Sequence, residues 1–174
     1  GYMIDLTDKT PVSTPAIADG KIFMPDAFYS DKLMCFEEKT GKLEWAVKLD
    51  ESGISSVVHN NGIVFVNTYS CTLYAIDAAT GELLWSKWLS IILYTTPTVA
   101  DNKVLTTYPN ELDVLSTSFN KFNDEFVLVC FNSKNGDIIW QSWIDAEALT
   151  APVVKGDKIF VTTLSGNFYK FDLN

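Results

Sequence analysis

Apolar residues along the chain fall in short runs rich in Val, Ile, Phe, Tyr and Thr, and Gly, Asn or Asp punctuate the gaps. That pattern predicts many short strands and no long helix. The pattern also recurs. Its clearest copy is Leu73-Tyr74-Ala75-Ile76-Asp77-Ala78-Ala79-Thr80-Gly81-Glu82-Leu83-Leu84-Trp85, an apolar strand, a polar turn and a second strand carrying tryptophan. Leu33 to Trp45 and Leu128 to Trp140 repeat it, with Gly41, Gly81 and Gly136 each four residues before the tryptophan. Phe168-Tyr169-Lys170-Phe171-Asp172 opens a fourth copy. A second landmark precedes each phrase: Thr14-Pro15, Ser56-Val57, Thr96-Pro97 and Ala151-Pro152. The step from Trp45, Trp85 and Trp140 to the next landmark is 11 residues each time.

Repeats of roughly 40 residues indicate a propeller or a solenoid. Each repeat here predicts four strands. The first follows the landmark (16–18, 57–59, 98–100 and 153–155), and the second lies at 22–24, 64–67, 104–107 and 159–162. The third is the apolar half of the phrase, and the fourth carries the tryptophan. Four antiparallel strands per repeat make a β-propeller blade, so the expected fold is all-β. The repeats run over approximately 12–50, 54–90, 94–145 and 149–174. Counting 11 residues back from Thr14 lands on Met3, so residues 2–6 read as the outer strand of a blade split between the two ends. Three closures fit this plan: part of a longer propeller, a four-bladed ring closed by residues 2–6, or a head-to-tail homodimer in which each copy lends that strand to the other.

The phrase Ala75-x-Asp77-x-x-Thr80-Gly81-x-x-x-Trp85 resembles the tryptophan-docking motif of the PQQ-like repeat family of quinoprotein-type propellers. The first copy keeps Cys35, Glu37, Thr40, Gly41 and Trp45 of it, and the third keeps Cys130, Asn132, Asn135, Gly136 and Trp140. The resemblance covers essentially the whole chain. It implies that Trp45, Trp85 and Trp140 wedge between neighbouring blades, while Gly41, Gly81 and Gly136 sit in the turn before each outer strand. The family mixes quinone-dependent dehydrogenases with non-catalytic scaffolds, among them a propeller lipoprotein of outer-membrane β-barrel assembly, so membership alone does not give function. Its scaffolds are mostly exported, which implies an extracytoplasmic place in the periplasm or at the cell surface.

Composition narrows the chemistry. The 174 residues carry 22 acidic side chains, 13 lysines and no arginine, a net charge of −9. Such a surface repels phosphate backbones and argues against nucleic-acid partners. No apolar run approaches the ~18 residues of a membrane span. The resemblance would place calcium and a quinone on acidic and amide side chains, often beside a disulfide of adjacent cysteines. Cys35, Cys71 and Cys130 are far apart in sequence and read as structural thiols. Three unpaired cysteines lean toward a reducing compartment, although buried thiols survive export. His59, the lone histidine, reads as an incidental residue of a surface turn. With these residues no zinc constellation or catalytic triad can be written. The expectation is therefore no catalytic residue, no metal and no cofactor.

One repeat departs from the others. The interval from second-strand apolar residue to tryptophan is 36 in the third copy (Val104 to Trp140), against 23 and 21 in the first two. The extra segment, roughly Tyr108 to Asp124, lies on the blade face that also carries the blade-to-blade connections 50–53, 90–93 and 145–147. Insertions in repeat proteins often mark the binding face. Tyr108, Phe119 and Phe122 with Asn110, Glu111, Asp113, Asn123 and Asp124 suit a contact loop for protein, peptide or sugar. A hairpin extension packed back on its blade is the structural alternative. Trp88 and Trp143, three residues past the docking positions, read as packing against a neighbouring blade or as an aromatic platform. The reading reached is a non-enzymatic protein-binding scaffold of the cell envelope. A carbohydrate or small-ligand sensor, or a dehydrogenase fragment, is the alternative.

Overall fold

The structure is a computed structural model, and it describes residues 1–6, 13–27, 29–90, 95–110 and 126–174. Fifteen strands and no helix occur among the described residues. The first sheet is β1 (Ala16–Ala18), β2 (Lys21–Pro25), β3 (Lys32–Glu37) and β4 (Leu43–Lys48) in chain order. The second is β5 (Val58–Asn60), β6 (Ile63–Asn67), β7 (Thr72–Asp77) and β8 (Leu83–Trp88). The third is β9 (Thr98–Ala100), β10 (Lys103–Pro109), β11 (Phe126–Asn132) and β12 (Ile138–Ile144). The fourth has three strands, β13 (Val153–Lys155), β14 (Lys158–Thr162) and β15 (Phe168–Asp172). Every pairing is antiparallel between consecutive strands. The innermost strands touch in the order β1, β5, β9, β13, so the blades stand side by side in an arc.

Three cores hold the arc, one per blade junction. Phe23, Leu33 and Cys35 of the first blade meet Val64, Val66, Tyr74 and Ile76 of the second. Phe65, Leu73, Ala75 and Trp85 meet Val104, Val127, Val129 and Phe131 of the third. Leu105, Leu128 and Cys130 meet Ile159 and Val161 of the fourth. The assignment follows from the two-residue period of a strand: Val64 and Val66 point one way and Phe65 the other. Middle blades bury both faces, which is why β7 is an almost unbroken apolar run rather than an alternating one.

A side-chain wedge crosses each junction. Trp45 Nε1 donates to Ala78 O at 3.2 Å, and a Cβ on Gly81 would stand 2.9 Å from the Trp45 ring. Trp85 Nε1 donates to Ser133 O at 3.0 Å, and a Cβ on Gly136 would stand 2.8 Å from that ring. Gly81 and Gly136 have φ of +78° and +70°, so both the turn and the ring demand glycine. Trp140 Nε1 points at Leu173 O, 3.5 Å away, on the fourth blade.

Residues 2–6 lie against the first blade. No strand is assigned to them; instead the Tyr2 ring lies over Gly41 and its hydroxyl donates to Glu38 O. Glu38 holds the position of Ala78 and Ser133, so Tyr2 fills on the first blade the slot that tryptophan fills on the next two. This is the contact that an outer strand of a preceding blade makes with the first blade, as Trp45 and Trp85 do with the blades that follow theirs. His59 departs from expectation. It sits in β5 with its side chain nearly buried, stacked on Phe23 at 5.6 Å between ring centres, with Asp19 Oδ2 3.5 Å from Nε2. The strand pattern, not the adjacent Asn60-Asn61-Gly62 turn, decides its burial.

Candidate functional site

Antiparallel blades give the molecule two ends. At one end lie the first turns of each blade, where Asp19-Gly20, Asn61-Gly62 and Asp101-Asn102 have positive φ at both residues. That is the two-residue hairpin geometry Asn, Asp and Gly favour. The Thr40-Gly41, Thr80-Gly81 and Asn135-Gly136 turns share this end. In the second blade Asp77 Oδ1 accepts from the Ala79 and Thr80 amides at 2.9 and 2.8 Å and from the Thr80 hydroxyl at 3.0 Å. Those donors, the Thr80 amide first, hold its carboxyl below the ordinary range. This end is polar.

At the other end lie the second hairpins and the connections between blades. Its exposed tips are apolar: Tyr29 at 72%, Tyr69 at 45%, Leu149 at 55% and Leu164 at 62%. Carboxylates from the connections hold two of these hairpins, those of Tyr69 and Leu164. Glu51 accepts from Thr68 at 2.6 Å and from Thr72 at 3.0 Å, tying the connection after β4 to the β6–β7 hairpin. Asp145, after β12, accepts from Thr163 at 2.9 Å and from Ser165 and Asn167 of the β14–β15 hairpin. The Ser165 hydroxyl is the largest influence holding the Asp145 carboxyl down to about 2. Backbone bonds add to the tie, Tyr69 N to Ser52 O at 3.3 Å and Leu164 N to Glu147 O at 2.9 Å. The tips are therefore apolar groups on braced supports.

Sequence reasoning placed the connections on this face but missed the tips and the bracing. The signal for the tips was modest: a large apolar residue between strands two and three of three repeats. Tyr108, expected in the inserted loop, belongs to β10, paired with Val127 and packed against the second core. Burial raises its phenol above the ordinary range. Asn110 follows the end of β10 directly, half-buried. Glu111, Asp113, Phe119, Phe122, Asn123 and Asp124 lie outside the described residues. The segment joining β10 to β11 leaves and returns at the tip end.

Trp88 and Trp143 are 64% and 56% exposed, so packing against a neighbouring blade does not cover them. Each stands opposite the strand face of its docking tryptophan, at the tip end of an outer strand. The cysteines are buried. Cys35 and Cys130 pair across the sheet with Trp45 and Trp140, the position Ala75 holds opposite Trp85. Burial pushes both thiols up to about 11, away from reactivity. Among the described residues, no group of three His, Cys, Asp or Glu could hold a metal ion.

The family model for outer membrane protein assembly factor BamB matches residues 6–106 and 114–174. The chain belongs to that family. It is a β-propeller of PQQ-like repeats, and the gap in the match falls where the third blade carries its insertion. The chain is 26% identical over 158 residues to BamB of Moranella endobia (strain PCIT), covering 82% of this chain and 37% of that protein. It resembles the crystal structure of BamB from Moraxella catarrhalis at a TM-score of 0.70 and 18% identity, over 95% of this chain and 48% of that one. The computationally designed Ika4 protein is similar at a TM-score of 0.78 and 12% identity, over 100% of this chain and 99% of that one. The chain thus spans under half the length of both BamB relatives. At these identities the two solved structures carry the fold alone.

Proposed function

We propose that this BamB-family propeller is a non-enzymatic protein-binding scaffold of the cell envelope, and that its tip face receives the partner. The observation that carries the reading is the asymmetry of the two ends. Polar hairpin turns cover one end, while Tyr29, Tyr69, Leu149 and Leu164 stand exposed at the other. Exposed aromatic and aliphatic groups on a rigid support suit the desolvated centre of a protein interface. Braced hairpins also lower the ordering cost of association. β10 ends on this face at Pro109, with Asn110 directly after it, and Glu111, Asp113, Phe119, Phe122, Asn123 and Asp124, aromatic and polar residues of the segment that follows, are proposed as further partner contacts. The relatives' description as assembly factors supports a partner within an outer-membrane protein assembly complex.

The test is biolayer interferometry against purified components of that assembly machinery from the same organism. A Tyr29→Ser, Tyr69→Ser, Leu149→Ser, Leu164→Ser variant is compared with a turn-face control, Lys39→Ser with Lys134→Ser. The expected result is binding lost by the first and kept by the second. Equal binding by both variants, or no component bound by the parent chain, overturns the proposal.

A further inference from the structure

Among the described residues nothing pairs with the far side of β4, β8 or β12, the outer strands of the four-stranded blades, or of β15, the third strand of the fourth blade. Such an edge offers a row of unpaired amide and carbonyl groups, and proteins usually blunt it with charge, above all lysine. Three of the four obey. β4 carries Glu44 and Lys48, β8 carries Lys87, and β15 carries Lys170 and Asp172. β12 does not. Ile138-Ile139-Trp140-Gln141-Ser142-Trp143-Ile144 has no charged residue, proline or glycine, and it is the longest of the four. Ile138, Ile139 and Trp143 are exposed on it. A register shift between strands three and four occurs in all the four-stranded blades, so it does not single out the protection of any one edge.

Charge returns immediately at both ends of this strand. Asp137 precedes it and Asp145 follows it, and the hydroxyl and amide donors on Asp145 keep that carboxylate ionised. An uncharged strand edge bracketed by two carboxylates, on a chain of net charge −9, selects its complement.

We infer that the outer edge of β12 is a strand-acceptor site for an extended partner segment with an uncharged, β-branched middle and lysine or arginine at its ends. Backbone hydrogen bonds supply the pairing, Ile139 and Trp143 flank alternate side chains of the guest, and Asp137 and Asp145 receive its basic ends. The site lies on the rim; it shares Asp145 with the brace of the β14–β15 hairpin, while Ile139 takes no part in the tip face.

The probe is a fluorescein-labelled peptide, Lys-Lys-Thr-Val-Thr-Val-Thr-Val-Lys-Lys, titrated into the full chain by anisotropy, with backbone amide exchange followed by NMR. Saturable binding is expected, with new protection at alternate amides of β12, the two-residue period of a strand edge. Ile139→Lys and Trp143→Lys, both at exposed positions, should each weaken binding by about tenfold, whereas Leu84→Lys on β8 leaves it unchanged. A peptide with proline in place of its central valine, or with glutamates for lysines, should not bind comparably. The idea is overturned if β12 amides gain no protection, if the proline peptide binds equally, or if those amides are already protected in the free chain. In that last case sedimentation separates a second copy on the edge, which gives a dimer, from cover by the chain itself, which gives a monomer.

Discussion

The two ends of the blades are built from the same strands and obey different constraints. At the turn end, backbone geometry chooses the residues. Positive φ at Asp19, Asn61 and Asp101 and at the glycines beside the docked rings leaves little freedom. At the tip end the hairpins vary in length and carry exposed Tyr29, Tyr69 and Leu164, none of which the β-ladder requires. Residues that the fold demands say little about partners, and residues it does not demand are where function is written. The expected effects of substitution divide the same way, as stability losses around the turns and as binding losses at the tips.

The largest effect belongs to the wedges. Trp85→Ala removes a buried ring and its bond to Ser133 O, and urea unfolding should show a loss of about 3–5 kcal/mol. Next is Gly81→Val, where left-handed strain adds to a clash with the Trp45 ring, for roughly 2–4 kcal/mol. Gly20→Ala isolates the first of these terms. Its φ is +74° but nothing lies near the added methyl, so about 1–2 kcal/mol is expected. Were Gly81→Val no worse than Gly20→Ala, the ring would not be seated on that glycine. Leu164→Ser at the tips should shift the urea midpoint by less than about 0.5 kcal/mol in stability.

Much of this architecture was legible in the spacing. A phrase repeated with its glycine four residues before the tryptophan encodes the turn before the outer strand, whereas the wedge was implied by resemblance and the glycine each ring meets, on the next blade, was not read. What stayed hidden depends on contacts between repeats. Met3 is the residue an 11-residue step selects, yet Tyr2 takes the slot, because an aromatic ring with a donor can reach Glu38 O from one position away. His59 looked exposed beside its turn, but its side chain stacks on Phe23 of another blade. The exposure of Trp88 and Trp143 required knowing that neither side chain joins an inter-blade core. The carboxylate ties could not be seen either, since Asp145 and Ser165 meet only once two blades are adjacent.

Those ties allow the smallest and most specific test of the comparison. Asp145 accepts from Thr163, Ser165 and Asn167, so its carboxyl titrates at about 2 when folded against 3.8 ordinarily. A depressed folded value means that the tie contributes stability above pH 3.8 and loses it as pH falls through about 2. The group is at the surface, so screening keeps the effect small. Urea midpoints measured across that window should therefore fall more steeply for the parent chain than for Asp145→Asn. Amide exchange at the 163–167 hairpin should rise in parallel, while the Ala78–Gly81 turn, tied through backbone and Asp77, stays protected over the upper part of the range. Identical pH slopes for parent and variant would mean that the hairpin is braced by its backbone bond from Leu164 to Glu147 alone, and the tip end would then be as much a product of the β-ladder as the turn end is.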